Sequence, residues 1–317
     1  MNKEELLKAI DDKYNELGVS TETMLEGLLW SKPITYWDYI QTDALLGLQI
    51  PRTTEPDEMV FIIYHQINEL LFKMILWEID QIANNKALAT AFFSERLSRI
   101  SRYFDMLAES FNIMGDGMEV AQYMKFRTTL TPASGFQSAS YREIEFCSTE
   151  LINLTDIRFK DRVTDDTSIA DHIELLYWQA AGKDHGTGKK STLLQLFEER
   201  YKDGFVRLCE EYKKKNLWTL FKSLPEDERN DVELLNSMRH YDHTVNVKWV
   251  MAHYDAAAKY LDSGEESAEA TGGSDWRKYM HPKYQRRIFF PDLWSQEELD
   301  NWGITNLEGY QSLQKPL

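Results

Sequence analysis

Residues 61–80, FIIYHQINELLFKMILWEID, are the stretch that decides the fold of this 317-residue chain. Apolar residues recur at helical spacing, which predicts a long helix with a surface broad enough to be buried in a core. The positions that supply this surface are Ile63, Ile67, Leu70, Leu71 and Met74. His65 lies in the first turns of the helix, and Phe61, four residues earlier, projects from the same side. A histidine on such a helix needs a partner or a cavity, so the stretch predicts a functional site.

The composition excludes several classes of function. The chain has 36 basic and 52 acidic residues, a net charge of −16, which argues against binding to the phosphate backbone of nucleic acids. Its two cysteines, Cys147 and Cys209, form neither a redox pair nor a zinc-binding spacing. The N-terminus is charged, and no run of 18 apolar residues occurs, so we expect a soluble cytoplasmic protein without a membrane partner.

Helical periodicity continues along nearly the whole chain, and alternating strand patterns with two-residue turns are almost absent. The sequence therefore predicts an all-α protein of packed long helices, without a significant sheet, in a single domain that spans residues 1–317. Residues 1–30 are interpreted as an N-terminal helical arm. The helices are expected at about 3–17, 36–49, 57–83, 90–114, 120–127, 136–154, 165–181, 190–222 and 226–261.

Three histidines lie on the last of these predicted helices. His240 and His243 are three residues apart and could hold a metal from one helix face, and His253 follows ten residues after His243. Ordinary helix histidines are the alternative interpretation, and the residues alone leave both open.

Seven blocks of sequence, in order, resemble the tryptophan 2,3-dioxygenase family. Phe61–Gln66 with Glu69-Leu70 is similar to the family's distal helix, and the segment 134–146 closely follows its SSGFQSxxYRxIEF pattern. The other blocks are YWDYIQTDALLGLQ (36–49), DEM (57–59), YMKFR (123–127), TGGS (271–274) and FFPDL (289–293). One block alone is weakly specific, whereas their common order from about residue 35 to 295 is highly specific.

The resemblance implies an all-helical homotetramer with one heme b in a pocket of each subunit. It implies an enzyme that adds both atoms of O2 across the indole C2–C3 bond of L-tryptophan to give N-formyl-L-kynurenine, the first step of tryptophan catabolism by the kynurenine route. A ferrous heme is needed because indole reacts slowly with O2.

The resemblance also implies roles for individual residues. His65 would accept a hydrogen bond from the indole N–H, Phe61 would pack against the indole, and Arg127 would hold the substrate carboxylate through its planar fork. A loop at 262–275 would cover the substrate. The other expected substrate contacts are Tyr123, Leu130, Ser134, Thr271, Tyr36 and Tyr39, the last two from a neighbouring subunit. Ser134 and Gly272 would also contact the heme.

The axial ligand of the heme iron is assigned by the family pattern HxxxVxRVIG, which follows WRxRH. His243 is the predicted ligand because Val247 lies four residues after it, although Trp249 occupies the arginine position. His240 is the rival.

Two alternatives to the dioxygenase stay open. One is a heme-dependent monooxygenase of tryptophan or a substituted tryptophan, because the spacing before Thr271 is longer than usual and includes the acidic residues 263–269. The other is a heme-binding gas sensor, which would not need Arg127.

Overall fold

The computed structural model describes residues 1–130, 135–184, 187–261, 281–284 and 286–303. These residues form helices joined by turns, and within them no β-strand occurs, only two isolated bridges. The predicted all-α class is therefore confirmed.

The chain divides into two compact units, Met1–Ile50 and Pro51–Leu317. The single domain over 1–317, with residues 1–30 as an arm, stays a prediction. Unit 1 contains the helices α1 (Lys3–Glu16), α2 (Thr21–Trp30), α3 (Tyr36–Ile40) and α4 (Thr42–Leu46).

Unit 1 differs from expectation in one helix. The sequence predicted a continuous helix at 36–49, but Gln41 adopts a left-handed conformation (φ 59°) that ends α3 and begins α4. A residue in this conformation cannot continue a right-handed helix.

Thr21 is the only buried residue in α1 to α4, and large apolar side chains such as Leu29 and Trp30 are exposed.

Unit 2 contains the long helices and the core. Its α-helices are α5 (Asp57–Ala83), α6 (Thr90–Gly117), α7 (Val120–Phe126), α8 (Ala139–Ser148), α9 (Ile169–Ile173), α10 (Thr192–Tyr212), α11 (Leu217–Ser223), α12 (Glu226–Arg229), α13 (Val232–His243), α14 (Trp249–Leu261) and α15 (Gln296–Asp300). Short 3-10 turns occur at Arg127–Leu130, Gly135–Gln137, Leu151–Leu154, Lys160–Arg162, Tyr177–Gly182 and Pro291–Leu293.

Helices α5, α6 and α8 pack around one large apolar core, which α13 and α14 close from the side of α6. The buried face of α5 carries Leu71, Phe72, Ile75, Ile79 and Ile82. The expectation that Ile63, Leu70 and Met74 are buried was wrong, since all three are exposed. A helix that is apolar all round gives no sequence signal for the side that packs.

Helix α5 is, among the described residues, the one helix long and apolar enough to cross a membrane by length and composition. Nine of its 27 residues are buried within the structure.

The predicted helix at 226–261 is interrupted at two places. Asn230 ends α12, and the five residues Thr244–Lys248 form a turn of π-helix between α13 and α14. A π turn accommodates more residues per turn than an α-helix, so it changes the direction in which every later side chain points. The orientation of α14 therefore cannot be read from α13 by counting residues.

Candidate functional site

Phe61 and His65 line one side of the candidate site, one turn apart on α5. Their ring centroids are 4.1 Å apart, and Phe61 also packs edge-on against Phe126 of α7 at 5.6 Å. The two predicted site residues of α5 thus share a face, as their spacing required, and this face meets α7.

The hydrogen bonding of His65 fixes its tautomer. Its Nδ1 lies 2.8 Å from the carbonyl oxygen of Phe61, and because a carbonyl can only accept, Nδ1 carries the proton. Nε2 is then an acceptor. The ring is exposed to solvent, yet the protein around it lowers the pKa of His65. The lowered pKa and the fixed tautomer indicate a neutral imidazole in a recess of the protein, whose Nε2 can accept a hydrogen bond from a ligand.

Tyr123 and Arg127 form the opposite side. Burial of the Tyr123 ring raises the pKa of its hydroxyl, and the nearby charge of the Arg127 guanidinium opposes this shift in part. The Tyr123 ring lies 6.3 Å from Phe61 and 4.7 Å from Tyr260 of α14. The structure therefore brings Phe61, Tyr123 and Arg127 into one neighbourhood, where the guanidinium lies near a neutral phenol.

Asp57 connects the starts of the two helices that carry these residues. Its carboxylate accepts a hydrogen bond from the backbone N–H of Glu119 at 2.7 Å, and its own N–H donates to Gln122 at 3.0 Å. Pro56 holds the N-cap position of α5. Asp57 instead joins α5 to α7.

The remaining predicted substrate contacts are less informative. Ser134, Thr271 and Gly272 lie outside the described residues, as does the loop 262–275. Leu130 is the last residue of a 3-10 turn, and only its backbone is described. Tyr36 and Tyr39 lie on α3 in unit 1, where both side chains are exposed. Their roles stay predictions.

The predicted iron ligand His243 is at the end of α13, with its ring 6.3 Å from that of Trp302. Burial lowers its pKa from 6.5 to about 4, with smaller effects from His240 and Lys248. His240 is half exposed, and its Nε2 lies 3.9 Å from the Asp105 carboxylate. None of these described contacts joins either histidine to the face of α5 that carries His65.

His253 on α14 is the histidine that meets the His65 side. Burial, with smaller effects from the nearby His65 and Arg287, lowers its pKa to about 4. Its ring stacks on Phe111 at 5.1 Å, and Phe111 contacts Tyr64, the neighbour of His65, at 5.8 Å. A neutral imidazole thus lies across an aromatic layer from His65.

Sequence analysis noted His253 but gave it no role, although a signal was present. The family pattern WRxRH has tryptophan four residues before the ligand histidine, and Trp249 lies four residues before His253. His240 and His243 have Asn236 and Arg239 at that position. Among the described residues no cluster of three or more metal-binding side chains occurs, but a heme iron needs only one protein ligand.

Comparisons with known proteins agree with the site. The family model for tryptophan 2,3-dioxygenase matches residues 28–176, which include α5, α7 and Arg127. The chain is similar to tryptophan 2,3-dioxygenase of Ralstonia pickettii (strain 12J), 39% identical over 120 residues that cover 37% of this chain and 42% of the relative.

Two further relatives show the same likeness. They are tryptophan 2,3-dioxygenase 1 of Ralstonia nicotianae and tryptophan 2,3-dioxygenase of Polaromonas naphthalenivorans, each 39% identical over 37% of this chain. The matched segment spans about two fifths of the length of these curated relatives, 40% and 42%. Residues 28–176, which carry the distal-helix pattern together with Tyr123 and Arg127, are thus similar to the tryptophan 2,3-dioxygenase family.

Proposed function

We propose that the protein is a heme-dependent dioxygenase that converts L-tryptophan and O2 to N-formyl-L-kynurenine. The observation that carries the proposal is the convergence of Phe61, His65 and Arg127 in one neighbourhood of unit 2. An acceptor nitrogen, an apolar wall and a fork-shaped cation are the three groups needed to bind an indole N–H, an indole ring and a carboxylate.

The residues present fit a heme. An aromatic wall of Trp249, Phe72, Phe104, Phe111 and Tyr141 adjoins His253, with ring centroids of Trp249 and each other member between 4.8 and 6.3 Å apart. A neutral histidine is the form that binds iron. When bound there, a ferrous heme b supplies the activation of O2 that an indole cannot achieve alone.

His253 is the axial ligand that these contacts favour. The sequence predicted His243 with His240 as rival, and both assignments stay predictions. His243 has Trp302 as its described ring neighbour, whereas His253 interacts electrostatically with His65 and follows Trp249 at the family spacing.

The protein groups have separate tasks in this reaction. His65 stays neutral, because its pKa is lowered and Nδ1 is committed to Phe61, so Nε2 accepts the indole N–H. Arg127 holds the carboxylate with an orientation set by Tyr123. Phe61 fixes the plane of the indole and helps to exclude water.

The proposal extends to assembly and location. Self-association to a homotetramer is supported by exposed apolar side chains on α5, namely Ile63, Leu70, Met74 and Trp77, since exposed apolar stripes of this kind mark interaction surfaces. A cytoplasmic location is part of the same proposal. Nucleic acid and membrane are not among the proposed partners.

The test is a reaction with defined stoichiometry. The protein is loaded with heme, reduced without oxygen, then mixed with L-tryptophan and O2, and the product mass is measured. Two added oxygen atoms support the proposal, and one would favour the monooxygenase alternative. Heme binding without any product would favour the gas sensor, which the Tyr123–Arg127 pair argues against because sensing a gas needs no carboxylate clamp.

A further inference from the structure

A buried cluster of charged and phenolic side chains lies beside the aromatic wall. It consists of Arg142 and Glu145 of α8, Arg287, Tyr141 and Tyr177, each no more than 7% exposed. The Nη1 of Arg142 lies 2.9 Å from Glu145, whereas the Nη1 of Arg287 is 3.8 Å from the same carboxylate. Arg142 therefore forms the closer ion pair with Glu145, and Arg287 interacts with this carboxylate at a longer distance.

The cluster carries more positive than negative charge. Burial raises the pKa of both Tyr141 and Tyr177, so the phenols stay neutral, and two guanidiniums face one carboxylate. An unbalanced buried charge is costly unless another group compensates it. A single negative charge would restore the balance.

Arg287 also has unused hydrogen-bond donors. Its Nη1 donates to the hydroxyl oxygens of Tyr177 at 2.8 Å and Tyr141 at 3.3 Å. Within the described part of the chain, its buried Nε has no hydrogen-bond partner, and neither Nη2 nor the Tyr141 O–H donates to any group. Nε and Nη2 form one edge of the guanidinium, the edge that binds a carboxylate with two parallel bonds.

The cluster lies beside the proposed heme pocket. The Tyr141 ring stacks on Trp249 at 4.8 Å, and Trp249 lies 5.9 Å from His253. Arg287 is also one of the charges that act on His253. The cluster and the proposed iron ligand thus border the same aromatic wall.

We infer that the free edge of Arg287, with the hydroxyl of Tyr141, is a buried carboxylate-binding site that takes a propionate of the heme. The inference rests on the proposed function. Heme b carries two carboxylates, and the carboxylate of the amino acid is the alternative source of the same chemistry. The propionate is favoured because the proposed function already assigns the amino acid's carboxylate to Arg127.

The test compares heme b with its dimethyl ester, in which both propionates are neutral. Affinities are measured by optical titration for the full chain, for Arg287→Gln and for Arg287→Lys, which keeps the charge but lacks the two-donor edge. We expect the unaltered chain to prefer heme b over the ester by ~10-fold or more, since a two-bond charged pair is lost with the ester. Both variants should lose most of this preference.

Arg286→Gln is the matched control, because Arg286 is the exposed neighbour of the buried Arg287 and the change in charge is the same. This variant should keep the full preference for heme b. The ratio of the two affinities is independent of any general loss of stability. Equal affinity of the unaltered chain for both porphyrins, or an unchanged ratio in the Arg287 variants, would overturn the inference while leaving the proposed function intact.

A second arm separates the two sources of the carboxylate. L-Tryptophan and tryptamine, which lacks the carboxylate, are titrated into the heme-loaded chain and into Arg287→Gln. We expect the preference for tryptophan to survive in the variant. If it is lost while the porphyrin ratio is unchanged, Arg287 binds the amino acid and the propionate assignment is wrong. If the unaltered chain binds neither porphyrin, the proposed function fails first.

Discussion

His243 and His253 lie on the same continuous stretch of helix, but their surroundings are different in kind. The end of α13 is tied to the segment 289–294 through Asp242, whose carboxylate accepts from the backbone N–H groups of Phe289 and Phe290 and from Trp294. His243 thus belongs to a structural junction. His253 faces aromatic residues of α6 and the His65 side of α5.

The π turn between them explains the difference. In a regular α-helix each residue turns by about 100°, so the ten steps from His243 to His253 would place the two side chains ~80° apart. Five of these steps lie in the π turn, where each residue turns by a smaller angle, which changes the separation to roughly 180°. The two histidines accordingly have different ring neighbours, Trp302 for His243 and Phe111 for His253. Two residues of equal type and similar pKa can differ in function because one turn of backbone is wider than the rest.

Replacing each histidine in turn tests this comparison. The replacement of His253 has the largest expected effect. His253→Gly should abolish stable heme binding, measured by the Soret band, because it removes the imidazole that is the proposed iron ligand. Added imidazole should restore the band by occupying the space of the lost ring. His243→Ala and His240→Ala are the matched controls and should keep the heme. Loss of heme in His243→Ala alone would return the ligand to the residue that the sequence predicted.

The substrate side can be tested apart from the heme. Arg127→Leu should weaken L-tryptophan binding by about 2–5 kcal/mol, the usual effect of removing one partner from a buried charge pair, while tryptamine binding changes little. Lys125→Leu, two residues earlier, is the control, since its ammonium is exposed and pairs with Glu55. Equal losses for both ligands would count against a carboxylate clamp.

The pH dependence of stability should change to a similar extent when either histidine is replaced, whereas heme binding should depend on His253 alone. Each has its pKa lowered from 6.5 to about 4, so the unfolded chain takes up protons before the folded one as the pH falls. The free energy of unfolding of the heme-free protein should therefore decrease between pH 6.5 and about 4, by on the order of 1–3 kcal/mol for each histidine. Denaturant unfolding of His243→Gln and of His253→Gln should each show a shallower decrease. A pH profile unchanged in both variants would contradict the buried neutral state.

The smallest expected effect concerns the orientation of Arg127. Tyr123→Phe removes the hydroxyl that interacts electrostatically with the guanidinium but keeps the ring against Phe61. Affinity for L-tryptophan should fall by about 1 kcal/mol, the usual net contribution of one hydrogen bond. Isothermal titration would measure it, and a loss as large as that of Arg127→Leu would show that the phenol binds the substrate itself.

The sequence predicted the parts of this fold that depend on local periodicity. The bounds of α5, Asp57–Ala83, agree with the predicted 57–83, and the pairing of Phe61 with His65 and of Tyr123 with Arg127 follows from a spacing of four residues. These features need only regular helix geometry, which sequence spacing encodes directly.

The parts that were missed depend on irregular backbone or on tertiary packing. The left-handed Gln41 and the π turn at Thr244–Lys248 each change the direction of the chain without a residue that demands it, since neither contains glycine or proline. The exposed Leu70 and the buried Leu71 are the same residue type at neighbouring positions. Only the packing of α6 and α8 against α5 decides which of them is inside.

The hydrogen bonds of Asp57 have a consequence for the energetics of ligand binding. By joining the first turn of α5 to that of α7, this carboxylate holds the wall with Phe61 and His65 and the wall with Arg127 as one preorganised body. A ligand then does not have to order two independent helices, so less of its interaction energy is lost as conformational entropy. Under the proposed function, we expect two walls held in this way to favour a rigid, flat amino acid over a flexible one.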